Sequence, residues 1–152
     1  MAVTANWYAR AFLSLANKEV DLVGGTDDTY AALTSGYTPN QDTHDYWNDV
    51  VSTELANGNG YTTNGYQMTG EAFTQTLNAL MWDADNPQWT TATLTTDKLV
   101  YVDRTPATDA TRPLISWVNF GGNQTVNAGT LEILHAAGGI ATMTAADATG
   151  FP

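Results

Sequence analysis

The chain has 152 residues, 43% of them apolar and 14% charged, with no cysteine and a formal charge of −11 from 16 acidic against 5 basic side chains. A chain of this length buries enough surface to fold as a single domain, residues 1–152, without a disulfide or metal staple. Lack of cysteine removes thiolate catalysis, Cys-ligated zinc and disulfide switching. The cations Arg10, Lys18, Lys98, Arg104 and Arg112 are too few and too scattered to neutralise a phosphate backbone or an anionic lipid surface. The expectation is therefore a protein with neither a nucleic-acid partner nor a membrane partner. The opening residues show no basic stretch followed by an apolar core, which points to a chain made in the cytoplasm.

In chain order, Trp7, Ala11, Phe12, Leu15 and Ala16 recur at three- and four-residue spacing after Asn6, a candidate N-cap, and predict a helix over 6–18. Residues 24–28 have turn chemistry, and Thr29 to Thr34 reads as a strand ended by Ser35-Gly36. The segment from Tyr37 to Val51 begins as a Pro-Asn turn and predicts a short helix. Asp42 or Thr43 would cap it, with Trp47, Val50 and Val51 as its buried side.

Beyond residue 51 the chain becomes rich in Thr, Asn and Gly, and short β-type runs alternate with turn clusters such as Asn64-Gly65, 83–87 and Gly121-Gly122-Asn123. The clearest strands are 98–103 and 114–120; in the second, Leu114, Ser116, Val118 and Phe120 would share one face. Further candidates are 61–69, 71–77, 79–83, 92–96, 129–135 and 140–144. The 25 threonines support this reading, because a branched Cβ suits a pleated surface while the hydroxyl suits water. The fold class expected is mainly β: an antiparallel sandwich or barrel of about eight short strands, with an N-terminal helix and one short additional helix. Residues 105–113 read as a long exposed loop, and the chain beyond 136 thins into small residues that would fray at the end.

Few residues point to chemistry. Asp42, His44, Asp45 and Asp49 form the best local metal-ligating cluster, but caps on an acidic solvated segment explain them equally well. Asp83, Asp85 and Asn86 open like a calcium loop, yet the required Gly and distant Glu are missing and Pro87 makes a tight turn instead. Paired carboxylates for hydrolysis, with Asp45, Asp49, Glu71 and Glu132 as candidates, arise by chance among so many acids, and nothing in the sequence marks Glu54, Glu71 or Glu132 as desolvated. His135 follows an apolar run and reads as a residue at a strand end rather than a functional group. The expectation is no catalytic residue, no metal and no cofactor. Trp47, Trp82, Trp89 and Trp117 read as core filling; the competing reading, a carbohydrate-binding module, would use exposed Trp and Tyr as a stacking platform.

Three stretches carry a likeness: Leu33 to Val50, with the run Tyr37-Thr-Pro-Asn-Gln-Asp-Thr-His-Asp-Tyr-Trp-Asn-Asp-Val50; Asp103-Arg-Thr-Pro-Ala-Thr-Asp-Ala-Thr-Arg-Pro-Leu-Ile115; and Val118-Asn-Phe-Gly121. Together with the Asp83-Ala-Asp85 turn before Trp89, their order resembles that of a family of small virion proteins of tailed bacteriophages. The chain departs from the family in having Asn119 where Asp is usual, and in the Gly24-Gly25 insertion. The resemblance implies a structural part of the particle, in the first place a decoration or cement protein on the outside of the head. Its partner would then be the major capsid protein, its place the virion surface and its state a homo-oligomer. Members are also labelled tail-fibre proteins, which keeps a tail, fibre or receptor-binding role as the alternative. The family supplies no catalytic residues. The interface expected on this basis comprises Tyr37, Pro39, Asn40, Asp42, His44, Asp45, Trp47 and Asp49 from the first segment, with Arg104, Pro106, Arg112 and Pro113 around the second. Arg104 and Arg112 would pair with Asp45 or Asp49. The competing reading makes the two segments a loop pair that stabilises its own domain.

Overall fold

The computed structural model describes residues 3–23 and 28–144, so the expected turn at 24–28 lies almost wholly outside the described residues, as does the expected fraying beyond 144. The fold is mainly β and sandwich-like, with two open antiparallel sheets. The five-stranded sheet runs β1 (Thr4–Trp7), β7 (Leu114–Glu132), β6 (Gln88–Asp103), β2 (Thr29–Thr34), β3 (Tyr66–Gln67). The three-stranded sheet runs β4 (Ala72–Thr76), β5 (Ala79–Asp83), β8 (Ala141–Thr144). The sheets do not close into a barrel.

The first departure from the sequence reading is at the front. Residues 4–7 are a strand paired with β7, Asn6 opposite Trp117, and the helix α1 is confined to Ala9–Ala16. One apolar residue per turn cannot distinguish a helix from a strand over four positions, and here the ladder on β7 wins over helix propensity. Asn6 is therefore not a cap; Tyr8 stands at the N-cap without a side-chain bond, and the first helical N–H, that of Ala9, donates to the Gln41 carbonyl 3.1 Å away. Lys18, at φ +57°, ends the helix in a position usually given to glycine, and Glu19 N–H closes the end on the Ser14 carbonyl.

The second departure is that the expected strands 92–96 and 98–103 are one strand, and that 114–120 and most of 129–135 are another. β6 and β7 form a single long hairpin. Its 19-residue second strand would span about 60 Å if straight. Instead, Phe120 to Gln124 and Leu131 to Ile133 line the same hollow of about 620 Å³, so the strand is sharply bent. The bend is built where Lys98 pairs with Asn119 and Thr96 with Gln124, leaving residues 120–123 opposite Asp97 alone. Gly121 takes φ +75° there, and Asn119 Oδ1 accepts its N–H at 2.9 Å. The Gly-Gly-Asn run thus turns a corner inside a strand, as bulges do where a strand changes layers.

A second bulge corrects the faces of β7. Val102 pairs with Leu114 but Tyr101 with Ser116, so one extra residue sits between them. Leu114 consequently shares the face of Trp117, while Ile115 joins the opposite core with Val118 and Phe120. The larger core lies between the two sheets and contains Trp7, Trp82, Trp89, Leu33, Leu99, Tyr101 and Ile115. The smaller one, on the other face of the five-stranded sheet, gathers Tyr8, Ala32, Tyr37, Trp47, Val50, Val100, Val102, Leu114 and Trp117. All five tryptophans are buried, the four expected core fillers among them.

β3 is much shorter than the expected strand at 61–69, because residues 58–61 close a tight turn of their own through two backbone bonds between Gly58 and Tyr61. The expected short helix after Tyr37 is also absent. In its place are two 3-10 turns, Trp47–Asp49 and Val51–Thr53, with Val50 buried between them and Val51 exposed.

Candidate interaction surface

The two segments that carry the family likeness lie side by side over the smaller core. Residue 46 bridges residue 113, Trp47 N–H donates to the Arg112 carbonyl at 2.9 Å, and Leu114 N–H donates to the Asp45 carbonyl at 2.9 Å. These bonds explain the missing helix, since the N–H and C=O groups that an α-helix would use along the chain are committed to the neighbouring loop. The capping roles also differ from expectation. Asn40 Oδ1 accepts the N–H groups of Asp42 and Thr43, and Asp49 Oδ2 accepts that of Asp45 at 3.0 Å. Asp42 and Thr43 are thus the capped residues, not the caps.

Side chains pin this loop pair to the sheet. Tyr37 is buried, its hydroxyl 2.8 Å from that of Tyr8 and 2.7 Å from His44 Nδ1. Because the same Nδ1 accepts the Asn40 N–H, it carries no proton, so Tyr37 donates to it and accepts from Tyr8. Burial holds the Tyr8 phenol far above its ordinary range, and the neighbouring Tyr37 adds to this; burial likewise pushes Tyr37 up to about 12.

Trp47 is 1% exposed and has the Arg104 guanidinium over its ring, 4.2 Å from the centroid. Arg104 is itself buried, with Nη2 3.5 Å from Glu54 Oε1, and both side chains are only 5% exposed. Glu54 Oε1 also accepts the Tyr61 hydroxyl at 2.8 Å and the Asn64 N–H at 2.7 Å. Burial lowers the pKa of Arg104 and Glu54 opposes that shift. A buried charge with one partner removed is strongly destabilising, so this pair ties the loops to the start of the 105–113 segment. Arg112, by contrast, serves its own loop, with Nε donating to the Pro106 carbonyl at 2.9 Å and Nη1 to Asp109 at 2.7 Å. The expected pairing of Arg104 and Arg112 with Asp45 or Asp49 does not occur within the chain.

Of the expected interface residues, Tyr37, Trp47, Arg104 and Pro113 are buried, and they build the platform. Asn40 and Asp42 are exposed; Pro39, His44, Asp45, Asp49, Pro106 and Arg112 are half-buried, and these form the rim available to a partner. The fold buries the carboxylates of Asp103 and Glu54. The sequence around Glu54 gave no sign of this, because the guanidinium that justifies its burial arrives from a distant strand end.

Other candidates are committed elsewhere. Asp85 accepts the Thr69 hydroxyl at 2.9 Å, and Asn86 Oδ1 accepts the His135 N–H at 2.9 Å. His135 sits with Nδ1 3.0 Å from the Ala84 carbonyl and Nε2 2.8 Å from the Tyr101 hydroxyl. Nδ1 carries a proton toward the Ala84 carbonyl, with Asp83 Oδ1 3.5 Å away, and Nε2 meets the Tyr101 hydroxyl, so both ring nitrogens are partnered. Among the described residues no group of three or more His, Asp or Glu is arranged to hold a metal ion, and no described helix is long and apolar enough to cross a membrane.

Comparison with protein-family models, with curated proteins and with solved structures returns no match.

Proposed function

We propose that this chain is a structural protein of a tailed-bacteriophage virion, acting as a decoration or cement protein on the outer surface of the head. It would work by occupying sites on a larger shell, with no bond made or broken. The observation that carries the reading is the docking of residues 37–49 against 105–113. The two stretches on which the resemblance rests are far apart in the chain, yet they are hydrogen-bonded to each other and expose a common rim. The departure at Asn119 is a mild one, because what that position supplies is an oxygen for the Gly121 N–H, which Asp would also supply.

Rigid loops on a sheet scaffold suit this task. The platform is built by buried aromatic rings and a buried ion pair, so little conformational entropy is lost when the rim meets a partner. Asp42, Asp45 and Asp49 make that rim acidic, which fits a basic patch on the major capsid protein. Symmetric copies on a lattice reinforce one another even where each contact is modest.

Heads of the encoding phage, purified from a strain lacking the gene and mixed with the labelled protein, provide the test. Saturable uptake at a fixed number of copies per head, lost on substituting Asp42 and Asp49 with Lys, is the expected result. No uptake by heads with uptake by isolated tails would move the protein to the tail or fibre, the other assignment that the likeness implies. No uptake by either would refute a structural role on the particle.

A further inference from the structure

Away from the loop pair, a groove of about 550 Å³ runs between the turn at 55–61 and the outer half of the β6–β7 hairpin. Its volume is that of a small-molecule site. In a chain of charge −11, its lining contains no charged residue. Leu55, Leu94 and Val126 give it an apolar, half-buried floor. Its rim is made of hydroxyls and carboxamides: Thr93, Thr95, Thr125 and Asn127 from the hairpin, and Asn59 from the flanking turn.

We infer that this groove is a binding site for a neutral oligosaccharide. Uncharged amides and hydroxyls at a rim, over an aliphatic floor, match a ligand that presents hydroxyls around its edge and C–H groups on its face. Part of the main chain along the walls is already spent. Thr93 N–H donates to the Asn59 carbonyl at 2.9 Å, Gly58 and Tyr61 bond each other twice, and Thr95 and Leu94 pair with Thr125 and Val126. Side chains carry the rest of the offer. Thr95 and Thr125 hydroxyls stand 2.9 Å apart and share one hydrogen between them, leaving the pair a donor and open lone pairs. Thr93 accepts the Ala128 N–H and retains its own O–H to give. The carboxamides of Asn59 and Asn127 have no hydrogen-bond partner among the described residues.

The backbone around the groove is held in shape. Asn59, Thr91 and Ala128, three of the six non-glycine residues with positive φ among the described residues, lie in or beside its walls. Gly60 allows the closure: a Cβ there would come within 2.6 Å of the Ala92 Cα. Strained positions concentrated at one hollow are what pre-organised ligand clamps show. The inference stands apart from the decoration role, since the groove shares no residue with the loop-pair rim.

Amide-resolved NMR of the labelled full chain, titrated in turn with maltohexaose, chitotetraose and an acidic oligogalacturonate, tests it. At least one of the two neutral sugars should shift the amides of Asn59, Thr95, Thr125 and Asn127, while the acidic one leaves them in place. The double variant Thr95→Val/Thr125→Val should bind about tenfold more weakly, with an unchanged melting temperature and unchanged uptake by heads. Shifts by neither neutral sugar, shifts confined elsewhere, equal response to the acidic sugar, or a double variant that binds like the parent would each overturn the assignment.

Discussion

The inner face of the five-stranded sheet is finished by packing against a second sheet, with Trp7, Trp82 and Trp89 among aliphatic side chains, whereas its outer face is finished by two loops drawn over Trp47 and Trp117. On the first, burial of large apolar groups does the stabilising, and that driving force is insensitive to direction. On the second, the apolar content is smaller, and directional contacts make up the difference: the Tyr8–Tyr37–His44 hydrogen-bond chain, Arg104 on Trp47, and Arg104 beside Glu54. One sheet thus carries a conventional core on one side and a polar-pinned platform on the other. The side held by specific geometry is the side proposed to meet a partner.

Alkaline pH should challenge both faces at once, because each holds two buried tyrosines, Tyr61 and Tyr101 inside, Tyr8 and Tyr37 outside. Burial raises all four, Tyr37 to about 12. An unfolded tyrosine loses its proton near pH 10, so above that pH the unfolded state binds fewer protons and stability falls as pH rises. The loss approaches roughly 1.4 kcal/mol per pH unit for each such group. Titration of the phenolate absorbance should show the four silent until a cooperative unfolding step; four free titrations near pH 10 would contradict their burial.

Trp82→Ala removes a fully buried indole between the sheets and should cost about 3–5 kcal/mol in urea unfolding. Glu54→Gln leaves Arg104 buried without a counter-charge and should cost about 3 kcal/mol. The distinctive expectation is that Glu54→Leu/Arg104→Met together cost less than Glu54→Gln alone. Costs that simply add would mean that the outer face, too, is held by packing alone. His44→Phe deprives the Tyr37 hydroxyl of its acceptor, for about 1 kcal/mol, with loss of amide protection confined to residues 37–53. Smallest is Leu77→Gly at the β4–β5 turn, where an exposed leucine has φ +54°; relief of that strain should gain a few tenths up to about 1 kcal/mol. A loss there would show that the leucine side chain contributes contacts that outweigh its backbone.

The inner face was largely legible in the sequence. Short β-type runs between turn clusters, the abundance of threonine and the demand for large rings in a small sandwich pointed to the fold class and the tryptophan core. What the sequence hid depends on contacts between distant residues. Residues 4–7 became a strand because β7 offered an edge, and Gly121-Gly122-Asn123 read as a chain reversal when it is a corner within one strand. The outer face hid most. The polar run from Asn40 to Asp49 reads as a capped helix until Arg112 and Leu114 take its backbone bonds. The prominent motif residues Trp47 and Arg104 proved to be platform, leaving the acidic rim as the surface proposed to meet a partner.

For the proposed virion role, the most direct measurement is an image reconstruction of the phage particle expected to carry the chain. The account predicts repeated density for this fold on the outer head surface, with Asn40, Asp42 and the 105–113 loop turned toward the capsid protein or a neighbouring copy. A particle that lacks the chain, or one that carries it with those residues facing open solvent, would contradict it.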